Sequence, residues 1–74
     1  MALVKELERI QLDRNSVHEG TTATFCVFTD SMGQKYIQID TYGSKTRKIP
    51  GKKSQSIQFG PEGIANLKEI LSQF

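Results

Sequence analysis

Two runs of the chain, 34–42 and 54–59, alternate apolar and polar side chains with the period of two that marks β-strands. In the first, Lys35, Ile37, Ile39 and Thr41 fall on one face and Tyr36, Gln38, Asp40 and Tyr42 on the other. One face is therefore core, and the other is aromatic and polar. In the second run, Gln55, Ile57 and Phe59 oppose Ser54, Ser56 and Gln58. If both strands belong to one sheet, Tyr36, Gln38 and Tyr42 share a surface with Ser56 and Gln58. A third run, Thr21-Thr-Ala-Thr-Phe-Cys-Val-Phe-Thr29, is dense in β-branched and aromatic residues and free of glycine and proline, so 21–29 reads as a strand. Asp30-Ser31-Met32-Gly33 between them predicts a hairpin turn, with aspartate at its start and a glycine where positive φ is cheap.

After Gly60 the period changes. Ile64, Leu67, Ile70, Leu71 and Phe74 recur at spacings of three and four, the stripe of a short amphipathic helix. Pro61 suits the first helical position, where its missing N–H costs nothing, and Glu62 lies near the positive end of the dipole. The helix is expected over 61–72. Gly43 to Lys53, with Gly43, Pro50, Gly51 and five cations, cannot bury apolar surface and predicts a loop between strands. Residues 1–20 are ambiguous. Leu3, Leu7 and Ile10 have helical spacing, while Ile10 and Leu12 alternate with Arg9 and Gln11 as in a strand. A leading strand is preferred because it would widen a three-stranded sheet that is marginal in water, with Arg14 to Gly20 as its connecting loop.

These elements make one α+β domain over 1–74, a curved antiparallel sheet of three strands over 21–59, or four with the leading strand in 1–20, followed by the helix. At 74 residues, 36% apolar and 24% charged, a second domain does not fit. So small a core usually needs a disulfide, a metal or a partner. The lone Cys26 cannot form an internal disulfide, and the single His18 with scattered carboxylates makes no zinc-ligand pattern. Self-association remains, and the stripe of Ile64, Leu67, Ile70, Leu71 and Phe74 is the candidate dimer interface. Glu6 and Glu8 interrupt the start where a secretory signal would stay apolar, and no run is long enough to span a membrane, so a cytoplasmic location is expected.

Charge is concentrated. Lys45, Arg47, Lys48, Lys52 and Lys53 lie within nine residues that contain no acid, and the other 65 residues carry five cations against eight acids. The chain is mildly acidic with one basic segment, a polarity that draws a polyanion to one place. Catalytic chemistry is thin. Cys26 lies mid-strand, where a buried, inert thiol is expected, which gives a pairing with His18 little weight. Gly51-Lys52-Lys53-Ser54 fails as a phosphate loop, because a second lysine precedes the serine and Thr46 stands where the first glycine belongs. No enzyme activity, metal or cofactor is expected.

Taken in order, residues 23–71 resemble the single-stranded-DNA-binding transcriptional coactivator family of positive cofactor four. Asp30, Gly33, Lys35, Ile37-Gln38-Ile39 and Tyr42 match its acid, glycine turn, lysine, Ile-x-Ile and tyrosine. Pro50-Gly51-Lys52-Lys53, Ile57-Gln58-Phe59, Pro61-Glu62 and Leu67-Lys68-Glu69 follow in the family's order. Gly43 stands where that family has a second aromatic, and Ser31-Met32 replaces the aromatic of its first turn. The resemblance implies a strongly curved sheet, a homodimer joined through the C-terminal helices, and single strands bound across the sheet by basic and aromatic side chains. Candidate nucleic-acid contacts are Lys35, Tyr36, Gln38, Tyr42, Lys45, Arg47, Lys48, Lys52 and Lys53. The expected ligand is single-stranded DNA ahead of RNA, with a role in transcription regulation; the alternative is a module that docks an acidic partner protein.

Overall fold

The computed structural model describes residues 1–42 and 53–74. The positions of Lys45, Arg47, Lys48 and Lys52, and the expected loop that carries them, lie outside the described residues. Five elements follow one another: β1 (Ala2–Val4), β2 (Ala23–Thr29), β3 (Lys35–Tyr42), β4 (Lys53–Phe59) and α1 (Pro61–Leu71). The strands form one sheet in the order β1-β4-β3-β2, closed at one end by the helix, which is an α+β fold.

Strands β2, β3 and β4 pair antiparallel as the alternation predicts, but β1 lies parallel to β4, so the sheet is mixed. The leading strand also falls elsewhere than expected. It is the apolar triplet Ala2–Val4, set opposite Ile57, Gln58 and Phe59, that adds to the sheet. Residues 5–22 contain neither strand nor helix, and Ile10 and Leu12 are exposed. Ala2–Val4 takes the edge of β4 beside the start of α1, while residues 9–12 join neither outer edge of the sheet. The helical spacing of Leu3, Leu7 and Ile10 is likewise unused, and the Leu7 amide instead donates to Asn66 Oδ1 at 2.7 Å, tying this segment to α1.

The hairpin between β2 and β3 forms where the sequence places it. Gly33 takes φ of 79°, a left-handed conformation that a side chain would strain. Its amide donates to the Asp30 carbonyl at 3.1 Å, and the Asp30 amide donates to the Gln34 carbonyl at 3.0 Å. At the other end of β3 the register slips between Thr41 and Tyr42, because Thr41 faces Gln55 while Tyr42 faces Lys53. From Gln55 to Phe59 the pairing is regular, so the predicted faces hold there.

Helix α1 begins immediately after β4 and folds back over the Phe59 side of the sheet. Proline occupies its first turn, the Ile64 amide donates to the Gly60 carbonyl at 2.8 Å, and Ser72 closes the far end through the Lys68 carbonyl at 3.0 Å. Gly63 permits the approach. A Cβ there would press on the Phe59 ring at 3.3 Å and run into the Val4 carbonyl oxygen. Phe59, only 7% exposed, is thereby the buried centre of a small core, and the half-buried Ile64, Leu67 and Ile70 pack around the same region. No helix among the described residues is long and apolar enough to cross a membrane.

One helix of 11 residues does not cover the sheet. Phe25 and Val27 remain 71% and 61% exposed on the same side as Ile37 and Ile39, and an open apolar hollow runs past Ala2, Ile39 and Ile57. Leu71 and Phe74, at the end of the helical stripe, are 56% and 99% exposed. Replacing Gly63 by alanine is expected to lift α1 off β1 and to destabilise the chain by about 1–3 kcal/mol, the usual cost of overpacking. Urea melts followed by circular dichroism measure this; an unchanged midpoint would mean that α1 and β1 are not in tight contact.

Candidate nucleic-acid interface

On the face opposite Phe59 the side chains are polar and aromatic. Alternation along β2 puts Thr24, Cys26 and Phe28 there, β3 contributes Tyr36, Gln38, Asp40 and Tyr42, and β4 contributes Ser56 and Gln58. The ladder sets them side by side, with Phe28 across from Tyr36, Cys26 and Gln58 flanking Gln38, and Thr24 and Ser56 flanking Asp40.

The middle of this surface is a hydrogen-bonded row. Gln58 Nε2 donates to Gln38 Oε1 at 2.9 Å, Gln38 Nε2 donates to both Asp40 oxygens at 3.0 and 3.3 Å, and Ser56 Oγ donates to Asp40 Oδ1 at 2.5 Å. The order is chemically forced. A carboxylate only accepts, so Gln38 must turn its amide nitrogen to Asp40, which leaves its oxygen for Gln58. Asp40 is 6% exposed, and these donors are the condition on which a carboxyl group can be buried there. Gln38, Ser56 and Gln58 are half-buried rather than fully solvated for the same reason.

The two ends of the row carry the aromatics. Near the slip in register, Tyr42 is half-buried, and its hydroxyl lies 2.7 Å from Thr24 Oγ1. At the hairpin end, the Tyr36 hydroxyl donates to Asp30 Oδ2 at 3.0 Å and its ring stacks on Phe28, with centroids 5.5 Å apart and planes 11° from parallel. Gly60 bounds the ring on the other side, where a Cβ would stand 3.1 Å from Tyr36 Cε2.

Asp30 links this cluster to the turn. Its Oδ1 accepts from the amides of Met32 and Gln34 at 2.9 and 3.0 Å while Oδ2 holds Tyr36. The Gln34 amide does most to hold the Asp30 carboxyl below its ordinary 3.8; desolvation opposes it, and the Tyr36 hydroxyl and the Met32 amide add to the lowering. Through the same hydrogen bond, followed by desolvation and the charge on Asp30, the Tyr36 phenol is raised above its ordinary 10.0.

Of the residues singled out from sequence, the structure brings Tyr36, Gln38 and Tyr42 onto one face, with Ser56 and Gln58 beside them. Lys35 does not join them, since it opens β3 on the side of Ile37. Lys53 begins β4 opposite Tyr42. Ile64, Leu67, Ile70 and Leu71 sit on α1 and Phe74 lies beyond its end. Cys26 departs from expectation. It is exposed, as are all seven residues of β2, the outermost strand of the sheet. Sequence reasoning also passed over Asp40 and Phe28. The period of two on β2 would have put Phe28 beside Tyr36, but the pairing register that joins them comes only with the folded hairpin.

Compared with known proteins, the chain matches no family model, no curated protein and no solved structure. What its polar face offers is hydrogen bonding and aromatic surface. Among the described residues no three His, Cys, Asp or Glu side chains gather as a metal site would require.

Loss of the Asp30 charge should appear as a pH effect. A carboxyl with a depressed folded-state pKa stabilises the fold above 3.8 and loses that contribution as pH falls through its folded value. Asp30→Asn is therefore expected to lower Tm at neutral pH and to melt with the wild type well below pH 3.8, as thermal melts across that range will show. A difference independent of pH would mean that the carboxylate charge plays no part in holding the turn.

Proposed function

We propose that this chain is a non-enzymatic, cytoplasmic nucleic-acid-binding protein that holds single-stranded DNA, in preference to RNA, as a homodimer, with a role in transcription regulation. The observation that carries this reading is an adjacency. The polar and aromatic face ends at Tyr42, and Tyr42 pairs with Lys53 across the point where β3 and β4 are joined by the segment containing Lys45, Arg47, Lys48 and Lys52. Cations for phosphates and a surface for bases thus adjoin along the chain. The ordered resemblance of 23–71 to the positive cofactor four family supports the same reading.

Non-specific single-strand binding needs those two parts. Cations neutralise phosphates and make affinity fall with salt, while aromatic rings stack unpaired bases with little regard to sequence. An acidic partner protein would also be drawn to the cations, but it would not need unpaired bases.

Dimerisation is supported by the open apolar side. The chain exposes 6865 Å², where a folded monomer of its mass, 8.3 kDa, exposes about 4,600 Å². Most of the irregular residues 5–22 are exposed too, so what supports a partner is the apolar side chains left open, Phe25 and Val27 at 71% and 61% and Leu71 and Phe74 at 56% and 99%. A second copy placed on Phe25, Val27, Leu71 and Phe74 would supply the burial that α1 leaves undone.

Fluorescence titration should show that an oligothymidylate binds and that a duplex of equal length competes poorly. Replacing both Lys52 and Lys53 by alanine should weaken binding and flatten the dependence of log K on log salt by roughly 0.7 per lost contact. Equal competition by duplex and single strand, or affinity unchanged in the double variant, would overturn the single-strand reading; an acidic peptide that displaces the oligonucleotide would favour the protein-docking alternative. The dimer is checked separately by sedimentation. Leu71→Lys costs an isolated chain little, since Leu71 is already 56% exposed, but should shift a dimer to monomer. A wild-type species of monomer mass at every concentration would refute it.

A further inference from the structure

The Tyr36–Phe28 pair has one side that is finished and one that is not. Tyr36 is fixed on three counts: its hydroxyl is held by Asp30 at 3.0 Å, Gly60 lies against its ring edge, and Phe28 is stacked parallel to it. Phe28 has no such enclosure. It sits on β2, the last strand in the order β1-β4-β3-β2, and is 38% exposed although one ring face rests on Tyr36. Its accessible surface is therefore the outer face and rim of the ring, at the edge of the sheet. An exposed phenylalanine held nearly parallel to a second, hydrogen-bonded ring is stiffer than a lone surface aromatic. Less conformational entropy is lost when a planar ligand adds to it.

We propose that Phe28 is the ligand-facing end of this stack and takes an unpaired base on its outer face, with Tyr36 as the positioning residue behind it. The proposal rests on the nucleic-acid reading above and adds the residue that receives a base. Three features select a nucleobase. The existing pair is parallel-stacked, which a planar base continues. The ring lies beside the amide and hydroxyl groups of the polar row, not beside the apolar side of the sheet. Base stacking on an outer strand also needs no opening of the fold. Asp30 and Gly60 are then support: the first anchors the Tyr36 hydroxyl, and the second leaves room for its ring.

The test compares two polymers that carry the same phosphates, an oligothymidylate and an abasic oligodeoxyribose phosphate of equal length. With the wild type, the oligothymidylate should bind more tightly. Phe28→Leu, which keeps an apolar side chain against Tyr36, should reduce affinity for the oligothymidylate roughly five- to hundredfold and leave the abasic polymer and the salt slope unchanged. Phe28→Trp should restore tight binding. Because the chain contains no tryptophan, the indole introduced by that variant is a lone reporter and should be quenched by the oligothymidylate but not by the abasic polymer. Thermal melts establish that each variant is folded, and the quenching measurement stands even if Phe28→Leu is not. If the wild type binds neither polymer, the nucleic-acid reading fails and this proposal with it. If the wild type prefers the oligothymidylate, Phe28→Leu keeps that preference and the indole is not quenched, then single-strand binding stands and Phe28 is not where the base is received.

Discussion

The in-register pairing of β3 with both of its neighbours is the constraint on which the rest of this small fold depends. Because side chains alternate along a strand, fixing Ile37 opposite Val27 and Phe59 also fixes Gln38 opposite Cys26 and Gln58, and Tyr36 opposite Phe28. A slip of one residue would send Ile37 and Ile39 to the polar side and Asp40 toward the helix. The carboxyl of Asp40 reinforces the register from within, since it is buried only where Gln38 and Ser56 can donate to it. Apolar packing on one side and a hydrogen-bonded row on the other thus specify the same alignment.

The hairpin and the β4–α1 junction serve this sheet with very little material. Asp30 organises the turn through two amides with one oxygen and holds Tyr36 with the other, so a single side chain couples the turn to the face that follows it. At the opposite corner, Gly60 and Gly63 act in turn. The first leaves space for the Tyr36 ring on one side of the sheet, and the second lets α1 press on Val4 and Phe59 on the other. Two glycines three residues apart therefore shape both faces.

A protein of this size cannot bury much of itself, and here the shortage is distributed unevenly. Phe59 is enclosed while Phe25 and Val27 are open, because the helix crosses only one end of the sheet. The radius of gyration is 14.7 Å, against about 11 Å for a compact chain of this length. Residues 5–22 have no regular structure. This openness distinguishes the two sides of the molecule physically. The apolar side is unfinished in a way that calls for burial, whereas the polar side has its hydrogen bonds largely made and presents rings at its edge.

The sequence alone determined those parts whose cause is local. Alternation over 34–42 and 54–59 set the faces of β3 and β4, Asp30 and Gly33 set the turn, and Pro61 with the spacing of Ile64, Leu67 and Ile70 set the helix, because each rests on the preferences of neighbouring residues. Tertiary structure decided what depends on distant partners. Ala2–Val4 becomes a strand only because β4 has an edge to share, and it runs parallel to β4, beside the start of α1. Asp40 is buried with donors that include Gln38 on its own strand and Ser56 on β4, and Cys26 is exposed because β2, open along its whole length, is last in the sheet. Phe28 and Tyr36, eight residues apart, become one stack through the register of the hairpin. Periodicity says which side of a strand a residue occupies; only the assembled sheet says what lies next to it, and burial, hydrogen bonding and stacking are properties of that neighbour.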